Sequence, residues 1–139
     1  MAADPPRDRR RVRRLFQLLF WVPLAACTYL ALVPEPPEHP VFRLSDVVLH
    51  AAAFVYLSGA RVLAQYDQAA PRTGLYTRTF VWLMAYGILL ELLQGFVPER
   101  SAEMQDLLVD ALGIMAGLGV ARLLAKPVYR TALALSARL

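Results

Sequence analysis

Apolar residues arrive along this chain in four long blocks, at 15–33, 45–65, 77–97 and 105–125. Each block approaches the roughly 20 residues that an α-helix needs to cross the hydrocarbon core of a bilayer. In lipid a backbone must satisfy its own polar groups, so each block is predicted to be a helix rather than an open strand. Gln17 and Thr28 interrupt the first block only mildly, and Pro23 predicts a kink in it. The connections carry turn residues. Pro34-Glu35-Pro36-Pro37-Glu38-His39-Pro40 cannot be helical throughout, and the second connection holds Pro71, Arg72 and Gly74. Pro98-Glu99-Arg100-Ser101 is short enough to make the last two helices an antiparallel hairpin.

The pattern predicts an all-α polytopic membrane protein. A four-transmembrane-helix bundle at 15–125 follows a basic segment at 1–14 and precedes a tail at 126–139. After Lys126-Pro127 the tail mixes Leu and Ala with Arg130 and Arg138, the pattern of a short amphipathic helix on the membrane surface.

Charge gives the bundle a direction. Arg7, Arg9, Arg10, Arg11, Arg13 and Arg14 precede the first block, Arg72 and Arg78 flank the second connection, and Lys126, Arg130 and Arg138 lie in the tail. The other two connections offer Arg43 and Arg100. The positive-inside rule then places both termini in the cytoplasm. Arg61 and Arg122 fall near the cytoplasmic ends of their spans, from which their long side chains are expected to reach the headgroups.

Composition agrees with lipid as the solvent. At 139 residues, 58% hydrophobic, the chain is too apolar to hide that surface in a core of its own. A net charge of +4 raises nucleic acid as a partner, but the basic residues sit at ends and loops instead of forming a reading surface, so none is expected. The single cysteine, Cys27, excludes an intramolecular disulfide and a zinc-thiolate site. Leu24-Ala25-Ala26-Cys27 also has the form of a lipobox, at which Cys27 would be lipidated and become the new N-terminus. The apolar run through Val33 favours an uncleaved span.

Against this background a few polar residues stand out. Asp46 and His50 open the second block, Glu91 and Gln94 close the third, and Asp106 and Asp110 open the fourth. With alternating span directions, all six fall near the outer face of the membrane. Asp46 and His50 share a helix face, and so do Asp106 and Asp110, whose stripe continues through Gly113 and Gly117. Gly113-x-x-x-Gly117 permits close approach of another helix. Ionisable groups inside a bilayer are expensive, about 2.5–3.5 kcal/mol each on insertion scales, so they need partners or a function.

Three readings account for the cluster. The carboxylates, His50, Gln94 and Arg100 satisfy one another and lock the helices. They bind a divalent cation, a reading ranked below the others because no His-x-x-x-His spacing is present. Or they line a pocket for a lipid headgroup or other envelope molecule, with Arg100 and Ser101 holding an anionic group and Glu91 or His50 moving a proton. Ser45 and Ser101 are the available nucleophiles near His50, but neither sits in a nucleophile motif, and capping and turn roles explain both.

The ordered set Ser45-Asp46-x-x-x-His50, Glu91-x-x-Gln94-x-Phe96-x-Pro98-x-Arg100-Ser101 and Asp106-x-x-x-Asp110-x-x-Gly113 resembles the VanZ-like family. These are small bacterial membrane proteins named for a teicoplanin-resistance accessory protein. The resemblance covers about 46–117. Val47 stands where the family often has a basic residue, and Asp110 where an asparagine is common, which adds a second carboxylate to the last span. The resemblance implies a multi-pass protein of the bacterial cytoplasmic membrane with a role in the cell envelope. It links some members to glycopeptide tolerance.

The expected function is therefore to bind or handle an envelope lipid or cell-wall component, with Asp46, His50, Glu91, Gln94, Arg100, Ser101, Asp106 and Asp110 as the site. Membrane lipids are the expected partners, with a cell-wall precursor or another membrane protein beside them. The alternatives are an enzyme, a hydrolase or transferase acting on a lipid headgroup, and a structural or assembly subunit.

Overall fold

Four helices follow one another in a computed structural model that describes residues 7–34, 46–66, 73–98 and 104–138. They are α1 (Arg7–Leu32), α2 (Asp46–Ala64), α3 (Thr73–Gln94) and α4 (Met104–Ser136). No strand occurs among the described residues. On α1 the buried residues Val12, Phe16, Phe20 and Leu24 recur every fourth position, so they form one stripe that faces the other helices. The arginines of the amino-terminal segment belong to this same helix, ahead of its apolar part. Pro23 sits inside α1, and the lipobox-like run at Cys27 lies within it.

The most extensive contact is between α2 and α4. Its cause is the small-residue stripe. A Cβ added at Gly113 would stand 2.9 Å from the Ala51 carbonyl oxygen and 3.2 Å from Phe54 Cβ. At Gly117 the space a Cβ needs is already taken by Ser58 Oγ and the Val55 carbonyl. The two backbones approach through the glycines, as their spacing predicts. Phe54, Leu57, Leu83 and Ile114 fill the core around that seam.

The helices run up and down. Near one end of the bundle Phe16, Tyr66 and Tyr129 cluster, with ring centroids 6.0 Å apart for Phe16 and Tyr129 and 5.1 Å for Tyr66 and Tyr129. The amino-terminal part of α1 and the carboxy-terminal part of α4 therefore share that end. At the other end Gln94, closing α3, reaches the Ala31 carbonyl near the close of α1.

Large apolar side chains point outward on all four helices, among them Leu18, Val48, Val81, Leu92 and Leu123. That outer surface suits hydrocarbon. Three helices, α1, α2 and α4, are long and apolar enough to cross a membrane, where the sequence pattern predicts four. The helix that falls short is α3, which carries Arg78, Glu91 and Gln94 within one helix and is further diluted by Thr77, Thr79 and Tyr86. It still packs against each of the other helices.

Three local expectations change. Gly74 lies in the first turn of α3 rather than in the connection. The tail is helical but not separate, because α4 runs through Pro127 to Ser136. Pro127 removes one amide and crowds the preceding turn, yet burial of Ala125 and Tyr129 on either side holds the segment against α1 and α2. Arg61 does not reach outward. Its guanidinium lies 4.1 Å from the Trp82 ring centroid and 5.5 Å from that of Phe20, and the residue is buried. Two aromatic faces within reach hold the cation more closely than a distant headgroup would. Arg122 stays exposed, 5.2 Å from the Tyr76 ring.

Candidate functional site

The end of the bundle away from the chain termini gathers the polar residues of three helices. His50 is one turn inside α2, Asp106 and Asp110 occupy the first turns of α4, and Glu91 is in the last turn of α3. His50 Nδ1 lies 3.1 Å from Asp110 Oδ1. With Asp110 ionised, Nδ1 carries the proton and donates it to the carboxylate, which fixes the tautomer and leaves Nε2 for other chemistry. Asp110 is 1% exposed and the His50 side chain 18%, so a sealed carboxylate orients a ring that remains accessible.

Backbone shape makes room for that carboxylate. Gly87 of α3 faces Asp110, and a Cβ there would stand 2.7 Å from Oδ2 and 3.3 Å from Phe54 Cζ. The glycine lets α3 close over α4 with a carboxylate between them. Asp110 is more enclosed than Glu91, since it lies farther inside its helix and α2 and α3 both pack on it.

Glu91 is buried and Asp106 half-buried. His50, Glu91 and Asp106 each offer one ligand atom, and these atoms all lie within 4.8 Å of one another. Three side chains from three helices thus converge, with Asp110 behind one of them. Gln94 is equally buried but turns toward α1, where its Nε2 donates to the Ala31 carbonyl at 3.1 Å. It ties α3 to α1 at the edge of the cluster. Asp46 begins α2, but its side chain lies outside the described residues, as do Arg100 and Ser101 and the connection that holds Ser45 and His39.

Two residues near the site carry no special signal in the sequence. Thr28 Oγ1 donates to the Leu24 carbonyl at 2.8 Å, so its second hydrogen bond, also 2.8 Å, is accepted from Tyr86 OH. Thr28 reads in sequence as a minor break in an apolar block and Tyr86 as an ordinary interior aromatic. Their common signal is position, since both are polar groups in the halves of α1 and α3 nearest the cluster. Tyr86 also packs on Phe54 and stacks on Trp82, at 6.1 and 5.9 Å between centroids, which continues the aromatic column down to Arg61. An open groove of about 510 Å³ runs along the same end of α1, lined by Ala25, Thr28, Tyr29, Leu32 and Val33.

Chemically the described cluster is rich in acceptors. Three carboxylates and one imidazole suit hydroxyl, ammonium or metal-ion partners better than a bare phosphate. Nε2 of His50 and the carboxyl of Glu91 are groups that can accept and return a proton.

Comparison with protein families matches residues 5–125 to the family described as VanZ/LLP1. No curated relative and no solved structure matches the chain. Since the family match takes in nearly the whole bundle, this chain belongs to the VanZ-like family.

Proposed function

We propose that this VanZ-like protein binds the polar head of an envelope lipid or cell-wall component at the end of the bundle that holds His50, Glu91, Asp106 and Asp110. The observation that carries this reading is the convergence of those four side chains from α2, α3 and α4. A membrane-embedded cluster of that kind is costly to build for packing alone. All four helices cross the bacterial cytoplasmic membrane in this reading, including α3, whose Thr79, Glu91 and Gln94 are sheltered by its neighbours. Both termini are cytoplasmic, as the arginines of α1 and the basic tail favour, and the cluster opens outward.

Headgroup hydroxyls or an amine would meet the carboxylates, and the groove beside Thr28 would take an acyl chain. Arg100 and Ser101, in the connection between α3 and α4, would supply the grip on an anionic part. Handling of such a component would alter the response to glycopeptides such as teicoplanin, as the family link implies.

Native mass spectrometry of the purified protein beside Glu91→Gln tests the reading. Wild type should retain a specific envelope lipid or cell-wall precursor that the equally folded variant loses. Identical spectra without a specific adduct would refute it.

The structural alternative has one observation in its favour. The Gln94 contact to Ala31 and the His50 contact to Asp110 join different helix pairs, so the same end of the bundle is cross-braced by polar contacts. It predicts that Glu91→Gln lowers the folded yield instead.

A further inference from the structure

We infer that His50, Glu91 and Asp106 form a binding site for one divalent transition-metal ion, with Asp110 as the residue that orients the histidine. The inference stands apart from the headgroup reading, because the ion would be held without a lipid.

The donor set is mixed, one imidazole and two carboxylates, and it comes from three separate helices rather than from one acidic run. Its ligand atoms lie within 4.8 Å of one another. Ligands at about 2.0–2.2 Å from a tetrahedral ion stand roughly 3.3–3.6 Å apart, so the three side chains would draw together to enclose one. A borderline ion such as Zn²⁺ matches this combination of nitrogen and oxygen better than Ca²⁺, which takes oxygen throughout.

Two independent features support the assignment. First, metal-bound histidines as a rule donate their second ring N–H to a carboxylate or carbonyl. Asp110 stands 3.1 Å from His50 Nδ1, so Nε2 is the coordinating nitrogen. Second, Gly87 keeps space for the Asp110 carboxylate in a helix–helix seam where any larger residue would press on it at 2.7 Å. A carboxylate sealed there serves the ring rather than the solvent.

The test uses the full-length protein in detergent, stripped of metal and lipid and titrated with Zn²⁺ and Mn²⁺ against a chromophoric chelator. Wild type should take one ion per chain that excess Mg²⁺ does not displace. Asp106→Asn and His50→Gln should each weaken binding by about tenfold or more, and Asp110→Asn by roughly 10- to 100-fold. Near-UV circular dichroism and gel filtration verify the fold, and Asp106→Asn alone decides the matter if His50→Gln does not fold. A wild type that binds no ion, or a folded Asp106→Asn that binds as well as wild type, would overturn the site. If the stripped wild type takes no metal while unstripped protein retains a specific lipid in native mass spectra, the metal is overturned and the headgroup reading stands.

Discussion

His50 on α2 and Asp110 on α4 meet at 3.1 Å, one helical turn from the close backbone approach at Gly113 and two from the tighter one at Gly117. The polar contact and the tight seam are built from the same stripe of α4, so disturbing one should disturb the other.

Removing Asp110 leaves the His50 Nδ1–H without its acceptor. Asp110→Ala should therefore lower stability by about 1–3 kcal/mol, and Asp110→Asn, which keeps an acceptor for Nδ1–H, by clearly less. Thermal unfolding in detergent gives the order. Equal midpoints for the two variants would show that the contact carries no charge-dependent stability.

The seam itself makes a sharper forecast. Gly117→Ala puts a methyl where Ser58 Oγ and the Val55 carbonyl already stand, and backbone cannot swing away as a side-chain tip can. A loss of about 1–3 kcal/mol is expected. Gly119→Ala, with nothing within 4 Å of the new Cβ, should gain roughly 0.5–1 kcal/mol from helix propensity. If both substitutions behave alike, α2 and α4 are not packed through Gly117.

Gly87→Ala acts at one remove. Its methyl would press on Asp110 Oδ2 and move the carboxylate relative to His50. The ring-nitrogen NMR resonances of His50 should shift while the helical content stays constant. Unchanged resonances would mean that Asp110 does not set the state of the ring.

Arg61 offers a prediction far from the cluster. A guanidinium lies flat on an aromatic face in a way that an ammonium does not, so Arg61→Lys should cost about 1–2 kcal/mol and alter Trp82 fluorescence. A silent substitution would place the guanidinium outside the aromatic column.

Much of this arrangement is legible in the sequence because it rests on helical periodicity. Asp106, Asp110, Gly113 and Gly117 fall on one stripe by spacing alone, and the structure packs that stripe on α2. Pairings between helices are not encoded that way. The partner of His50 could have been any of several carboxylates, and Gln94 turns away to α1 because the end of that helix is nearer to it. Arg61 misleads for a different reason. Its position near a helix end predicts an outward reach, whereas its neighbours in space, Phe20 and Trp82, come from helices far away in sequence. Pro127 misleads because a local rule about prolines yields to packing by Tyr129.

Topology can be mapped directly. In a Cys27→Ala background, a cysteine at Pro98 should react with a membrane-impermeant thiol reagent on intact cells, and one at Ala137 only after permeabilisation. The reverse pattern would invert the bundle and point the cluster at the cytoplasm.

The marginal apolarity of α3 has a consequence for biogenesis. A segment at the margin of what hydrocarbon alone would hold gains from helices already present or arriving with it. Since α4 supplies Asp110 to the face that Gly87 presents, α3 and α4 would leave the translocon as a pair, and α3 would wait at its lateral gate until α4 is made. Chains cut short before α4 should then release α3 from the bilayer, exposing the unfinished protein to membrane quality control.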